Sequence, residues 1–395
     1  MIKIPFFDLH RQFQTLRAEI LADLAQVCES QAFFLGPKVA ELEERIAGFT
    51  GARFGIGTSS GTDAQLLILM AMGIGAGDAV ITTPFTFFAT AGTVARVGAK
   101  PLFVDIDPAT LNLSVPKLEE FLKTECVTSE AGVKTRDGLN IRAVIPVHLF
   151  GLCSDLVGLR RLCEEWKLIL IEDAAQALGA LFPDGDRHAK AGSVGAAGFF
   201  SFYPTKNLGA FGDAGLVVTS DPDLAKKLQI MRNHGMEPKY YHEVVGGNFR
   251  MDALQAAVLL CKFGHLEDWS KRRWSIAQRY HSGLEGLGIG LPVEPYHEPC
   301  GWRGHIYHQF VIRTPKRDQL RVALNEQGIG TEIYYPLPLH EQRCFQNLGY
   351  RTGDFPVAEQ TAKECLALPI FPELTDDEQA LVVVRIREFF GTLTE

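Results

Sequence analysis

The sequence contains no CxxC pair. Its eight cysteines, Cys28, Cys126, Cys153, Cys163, Cys261, Cys300, Cys344 and Cys365, are scattered, which argues against zinc knuckles, redox dithiols and a disulfide framework and leaves most of them as small core residues. No metal site is expected. A basic excess is also missing: 39 lysines and arginines stand against 47 aspartates and glutamates, a net charge of −8, so nothing would track a nucleic-acid backbone. No window approaches the roughly 18 uninterrupted apolar residues of a membrane span. The segment Met1 to Phe7, broken by Lys3 and Pro5, is too short for the apolar stretch of a signal peptide. A soluble cytoplasmic protein with neither membrane nor nucleic-acid partner is therefore expected. Tandem repeats and low-complexity linkers are absent as well. What remains is ordinary globular composition, 46% hydrophobic and 22% charged over 395 residues, enough for roughly two or three domains.

Two helical patterns, His10 to Gln26 and Pro37 to Phe49, lead in over residues 1–50; in the second, Val39, Leu42 and Ile46 recur at helical spacing. From Phe54 to about Thr219 short apolar runs (AVITTP, PLFVDID, AVIPVH, LILIED) alternate with longer helical patterns. That alternation predicts right-handed crossovers onto a largely parallel sheet, an α/β domain over 51–250. Within it GFFSFY and AGLVVTS read as two strands joined through KNLGAFGDAG. One long helix is expected over 251–287, with Gly264 as its main blemish. The remainder, 288–395, reads as a smaller α+β domain. Its strand candidates are IYHQFVIRT and GTEIYYP, and its helices fall at Lys316 to Gln327, Ala358 to Leu366 and Asp376 to Phe390.

The glycine cluster GIGTSSGTDAQ nearly matches a dinucleotide fingerprint, but its third glycine, Gly61, falls one place late and the next strand ends at Pro84 instead of an acid. A dinucleotide site is rejected on those grounds. The segment does open directly into a helix, placing Gly61, Thr62 and Asp63 at a positive N-terminus whose amides can hold a phosphate. Plain N-capping by Ser60 or Thr62 is the alternative. The run LILIED ends in Glu172 and Asp173, at the strand end where open α/β sheets bind ligands, although Asp173 also reads as a helix cap. Thirty-three residues later Lys206 lies in SFYPTKN beside Gly209 and Gly212. A lysine desolvated in such a turn becomes an amine nucleophile; in isolation it reads as a solvated charge. Taken together, a phosphate cradle, a strand-end carboxylate and a turn lysine are the three anchors that pyridoxal 5'-phosphate needs, for its phosphate, its pyridine nitrogen and its aldehyde carbon. Phe87 in TPFTFFAT is chosen to stack on the ring, with Phe85 and Phe88 assigned to the core.

These residues carry a resemblance. The segments IPFFDLHRQF, FFLGPKVAELE, SSGTDA, PFTFFAT, PLFVDIDPATLNL, VHLFG, IEDAAQALGA, FSFYPTKNLGAFGDAG, GGNFRMDALQAAVL and YYPLPLH resemble the DegT/DnrJ/EryC1/StrS sugar aminotransferases nearly end to end. The resemblance implies a fold-type I pyridoxal-phosphate enzyme, with a mostly parallel seven-stranded sheet flanked by helices and a small C-terminal domain. It implies Lys206 as the residue joined to the cofactor, Asp173 on the pyridine nitrogen and Gln176 on the ring hydroxyl. Gly61, Thr62 and Ser201 would hold the phosphate, with Asn248 reaching it from a second subunit of a homodimer. Arg250, His308, Tyr335 and His340 fall in segments that line the sugar-nucleotide site, although for His308 a packed strand histidine is an equal alternative. For Asn248 the alternative is a cap on the helix beginning near Met251. The implied reaction moves an amino group from an amino acid, usually L-glutamate, to a keto sugar on a nucleoside diphosphate, C3 slightly favoured over C4. Such products serve surface polysaccharide or secondary metabolites. A sugar dehydratase, disfavoured by the lysine, and a non-catalytic regulator of the same fold are the competing readings.

Overall fold

A computed structural model describes residues 3–129 and 132–391. Met1 and Ile2, which head the segment weighed as a leader, and residues 392–395 of the C-terminal region lie outside the described residues. The apolar runs form β1 (Phe54–Thr58), β2 (Asp78–Thr82), β3 (Lys100–Phe103), β4 (Cys126–Ser129), β5 (Gly132–Thr135), β6 (Asn140–Val144), β7 (Ile169–Asp173), β8 (Leu181–Asp184), β9 (Arg187–Lys190), β10 (Ala197–Ser201) and β11 (Gly215–Thr219). Seven of them line up in the order β1-β11-β10-β7-β6-β2-β3. The pairings from β10 through β7, β6 and β2 to β3 are parallel, whereas β11 runs antiparallel to both β10 and β1. The hairpin β4–β5 extends the sheet from β6.

Strand parity divides the core. Leu170, Phe200, Leu216 and Ile81 pack on one face with Leu42, Ile46 and Leu259, while their neighbours Ile171, Phe199, Val217 and Val80 pack on the other with Leu67, Val94 and Leu228. A sheet covered on both faces needs strands that are apolar throughout, which is why these runs lack polar alternation. The helix Gly61–Ala71 is buried along most of its length, which accounts for the continuous apolar run LLILMA.

The single helix expected over 251–287 is two, Ala253–Phe263 and Leu266–Leu284. The break falls at Gly264, where a glycine in a helix interior weakens the ladder by about 1 kcal/mol. The two pieces also face different cores. Val258 and Cys261 pack on Leu16 and Ile20 of the first helix, Leu9–Ser30, while Ile276, Ala277 and Tyr280 enter the C-terminal core with Phe310, Leu324 and Ile386. The C-terminal sheet is β12 (Phe310–Arg313) antiparallel to β13 (Cys365–Leu368). Here two expectations are corrected. GTEIYYP contributes only a single bridge, Glu332 to Ala367, and the helix expected to reach Leu366 is Pro356–Glu364, with CLAL forming β13. Four buried apolar residues after a helix read alike as its last turn or as a strand.

The two parts meet along a backbone seam. Ile306 N–H donates to Gly151 O at 3.0 Å and Gln309 N–H to Phe150 O at 3.4 Å, with a bridge between Leu152 and His305. This seam borders a cavity at the carboxyl ends of β7 and β10.

Candidate active site

The cavity measures about 480 Å³, and Gly61, Thr62, Phe87, Asp173, Gln176, Ser201, Lys206, His308 and Tyr335 all line it. Asp63, Asn248, Arg250 and His340 do not.

Parity again explains the carboxylate. Glu172 points away from the cavity, where it accepts from the amides of Gly192 at 2.8 Å, Val194 at 2.6 Å and Gly195 at 2.7 Å and from His148 Nε2 at 2.9 Å. His148 Nδ1 accepts from Ser154 N–H at 3.1 Å, which assigns the ring proton to Nε2. Asp173, the next residue, therefore faces the cavity. Its Oδ2 accepts from Thr90 Oγ1 at 2.8 Å and its Oδ1 from Ala175 N–H at 3.2 Å. Burial pushes this carboxyl above the ordinary aspartate range, opposed by those two hydrogen bonds and by the charge of Lys206.

Lys206 sits on a turn closed by its own N–H to Tyr203 O at 2.8 Å. Gly209 completes that turn, since a Cβ there would lie 2.2 Å from Pro204 O. Lys206 Nζ makes no hydrogen bond or ion pair among the described residues and opens onto the cavity. Burial lowers it to about 8, against the pull of Asp173. The neutral amine required of a nucleophile or base is thus accessible near neutral pH.

At the opposite end of the cavity Ser60 caps the helix, its Oγ accepting from Asp63 N–H at 3.0 Å. This corrects the expectation that all three first-turn amides are open: only Gly61 and Thr62 remain for an anion. The Asp63 carboxylate turns to Ser59 Oγ at 2.7 Å. A side chain at position 61 would meet Ser201 Cβ at 2.7 Å, so glycine lets the helix end and the Ser201 hydroxyl approach one point.

Phe87 is 57% exposed and lies tilted against Tyr335 at 6.4 Å between centroids, leaving a ring face free, while Phe85 is fully buried. Phe88 is not core: it is 47% exposed and stacks on Phe345. Gln176 Oε1 accepts from Phe150 N–H at 2.7 Å, and its Nε2 donates to Tyr335 Oη at 3.1 Å, leaving one amide hydrogen. His308 is buried and held neutral, chiefly by desolvation and then by the charges of Lys206 and Arg273. Asn207 Nδ2 donates to Ile306 O at 3.1 Å, so its Oδ1, 3.2 Å away, accepts from His308 Nδ1. This leaves His308 Nε2 as an acceptor.

Asn248 is exposed on a loop whose backbone bridges to Asn233. It caps nothing, because the N-cap of the following helix is Asp252. Arg250 donates to Asn233 Oδ1 at 2.8 Å and lies over the ring of Phe34. His340 is a buried strut, 3.2 Å from Glu359 Oε1 and edge-on to Phe355. Sequence reasoning missed Thr90, Gln65, Tyr203 and Gln309, which also line the cavity; a threonine or glutamine inside a helix carries no signal of its own.

The residues present fit pyridoxal phosphate: two open amides beside a hydroxyl, an amine without a partner, a buried carboxylate and an exposed ring. Fold and site together define a pyridoxal-phosphate-dependent aminotransferase. The model of the DegT/DnrJ/EryC1/StrS aminotransferase family matches residues 14–387, and the chain belongs to that family. It is 46% identical over 389 residues to the "pleiotropic regulatory protein" of Geobacillus stearothermophilus, covering 98% of this chain and 99% of that one. It is 40% identical over 386 residues to the UDP-N-acetyl-3-dehydro-alpha-D-glucosamine 3-aminotransferase of Acidithiobacillus ferrooxidans, covering 97% of each. The crystal structure of S. venezuelae DesV in complex with a ketimine intermediate superposes with a TM-score of 0.90 at 38% identity over 100% of both chains. No helix among the described residues is long and apolar enough to cross a membrane.

Because Lys206 is depressed to about 8 from 10.5, capture of pyridoxal phosphate by the apoprotein should accelerate with rising pH around a midpoint near 8. Stopped-flow absorbance measures this directly. A midpoint near 10 would contradict the desolvated amine.

Proposed function

We propose that the protein transfers the amino group of L-glutamate to the keto carbon of a nucleoside-diphosphate sugar, C3 in preference to C4, as a cytoplasmic homodimer serving amino-sugar biosynthesis. The observation that carries this reading is the Lys206 amine, without a hydrogen bond or ion pair among the described residues, in one cavity with Asp173. The amides of Gly61 and Thr62 with Ser201 Oγ would hold the cofactor phosphate, Asp173 the pyridine nitrogen, the remaining Gln176 amide hydrogen the ring hydroxyl and Phe87 the ring face. When bound, pyridoxal phosphate supplies an aldehyde that condenses with amines and a ring that withdraws electrons from the attached carbon. Lys206 Nζ, once free, takes the proton from Cα of the donor amino acid, and later delivers one to the sugar carbon that receives nitrogen. Asp173 keeps a negative charge beside the ring nitrogen throughout. His308 Nε2 accepts from a sugar hydroxyl and Tyr335 Oη, kept protonated by burial, donates to the substrate; Arg250 serves the nucleotide end. The C3 preference follows the 3-aminotransferase name of the Acidithiobacillus ferrooxidans relative.

The name of the Geobacillus stearothermophilus relative favours a second reading, a regulator that keeps the fold without turnover. The two separate on one assay. Cofactor-loaded protein, L-glutamate and a panel of 3-keto and 4-keto sugar nucleotides should yield 2-oxoglutarate and amino sugar in equal amounts, fastest with a 3-keto sugar. Lys206→Ala should lower the rate roughly 10²–10⁴-fold or more. No transfer to any acceptor would leave the regulator, and preference for 4-keto sugars would overturn the regiochemistry.

The dimer is supported by the setting of Asn248. Its loop carries Tyr240, Tyr241 and Val245, which are 75%, 70% and 86% exposed, and Phe34 beside Arg250 is 61% exposed, an apolar surface that calls for a cover. In the proposed arrangement the partner's Asn248 completes the phosphate site. Mixing Lys206→Ala with a crippled Asn248→Ala protein should then give heterodimers holding one doubly damaged and one intact site, and part of the activity should return. Heterodimers that form without recovering activity would mean that Lys206 and Asn248 of one chain serve the same site, so that each site carries one lesion, and would overturn the composite arrangement.

A further inference from the structure

We propose that Thr90 is a positioning residue that holds Asp173 ionised and thereby keeps the proton of the Asp173–cofactor pair on the pyridine nitrogen. The proposal rests on Asp173 being the partner of that nitrogen. Thr90 lies in the short helix Ala89–Arg96 and is 1% exposed. It reaches across to another element, 2.8 Å from Asp173 Oδ2. An ionised carboxylate only accepts, so Thr90 donates and its oxygen is left to receive a hydrogen bond. Thr86 Oγ1 stands 3.1 Å from Thr90 Oγ1. With the Thr90 proton committed to Asp173, Thr86 is the donor of that contact.

The result is a directional chain, Thr86 to Thr90 to Asp173 Oδ2, with each bond polarising the next. Asp173 Oδ1 is taken by Ala175 N–H at 3.2 Å. Burial pushes the carboxyl toward its neutral form, and the Thr90 hydrogen bond is the largest influence opposing it, ahead of Ala175, Lys206 and His148. A proton on Oδ2 would turn the Thr90 oxygen into an acceptor and displace the Thr90 O–H from Asp173. The chain is anchored at the phosphate end of the cavity as well. Gln65 Nε2 donates to Thr90 O at 2.8 Å, and Gln65 sits one turn into the helix that begins at Gly61. Thr90 is thus fixed relative to the phosphate cradle at one side and to Asp173 at the other.

The test uses holoenzyme loaded with pyridoxal phosphate labelled with ¹⁵N in the ring, whose chemical shift reports protonation of that nitrogen. Wild type should show the protonated shift. Thr90→Val keeps the shape and removes the donor; its resonance should move toward the unprotonated value, and kcat should fall roughly 10- to 150-fold, the range for one lost hydrogen bond to a charged group, with KM for the sugar unchanged. Thr90→Ser should restore both. A Thr90→Val holoenzyme with the wild-type shift overturns the proposal. Should that variant fail to fold or to hold cofactor, Thr86→Val decides: a smaller shift in the same direction supports the chain, and no shift overturns it. An unprotonated nitrogen in the wild type would instead mean that the assignment of Asp173 is wrong.

Discussion

Asp173 is a carboxylate taken out of water at the end of a strand buried on both faces, and the penalty of that burial organises what surrounds it. An ion removed from solvent loses several kcal/mol unless hydrogen bonds and opposite charge replace the water. Thr90, Ala175 and the amine of Lys206 replace it on the cavity side. The relation is mutual. The charge of Asp173 keeps Lys206 from falling further below about 8, so each group is tuned by the burial of both.

The sheet supplies the aim. One residue earlier on the same strand, Glu172 is spent on three amides and a histidine, and that rigid clasp pins the end of β7 from behind. At the seam between the two parts, Phe150 and Tyr307 adopt left-handed φ values of 57° and 45°, a conformation that costs a side-chain-bearing residue roughly 1–2 kcal/mol. Both strained residues serve the cavity. Phe150 N–H orients Gln176, and Tyr307 immediately precedes His308. Strain at these positions accompanies a site where segments far apart in the sequence converge.

Much of this was legible in the sequence, for identifiable reasons. Strands buried on both faces are apolar throughout, so LILIED and its companions declared themselves, and Lys206, a solvated charge when read alone, took its meaning from Asp173 and the glycine-led helix start. What remained hidden depends on contacts across long sequence separations. Thr90 and Asp173 are 83 positions apart, and nothing in TPFTFFAT marks which hydroxyl meets a carboxylate. Phe88 resembles a core residue in composition yet lies on the surface against Phe345. CLAL has no period to separate helix from strand. His340 shares a segment with Tyr335 but folds back onto Glu359, because a short irregular stretch permits two neighbours to face opposite ways.

The role of Lys206 is open to one direct measurement. Borohydride reduction of the cofactor-loaded protein, followed by mass mapping of its peptides, fixes the cofactor to whichever amine it is joined to. Two lysines are lowered by burial to about 8, Lys206 and Lys262. Lys262 Nζ is committed to Gly209 O at 2.8 Å, whereas Lys206 faces the cavity. The expected result is a pyridoxyl group on Lys206 and none on Lys262. Label on Lys262, or no label on any lysine, would contradict a site built around Lys206 and Asp173.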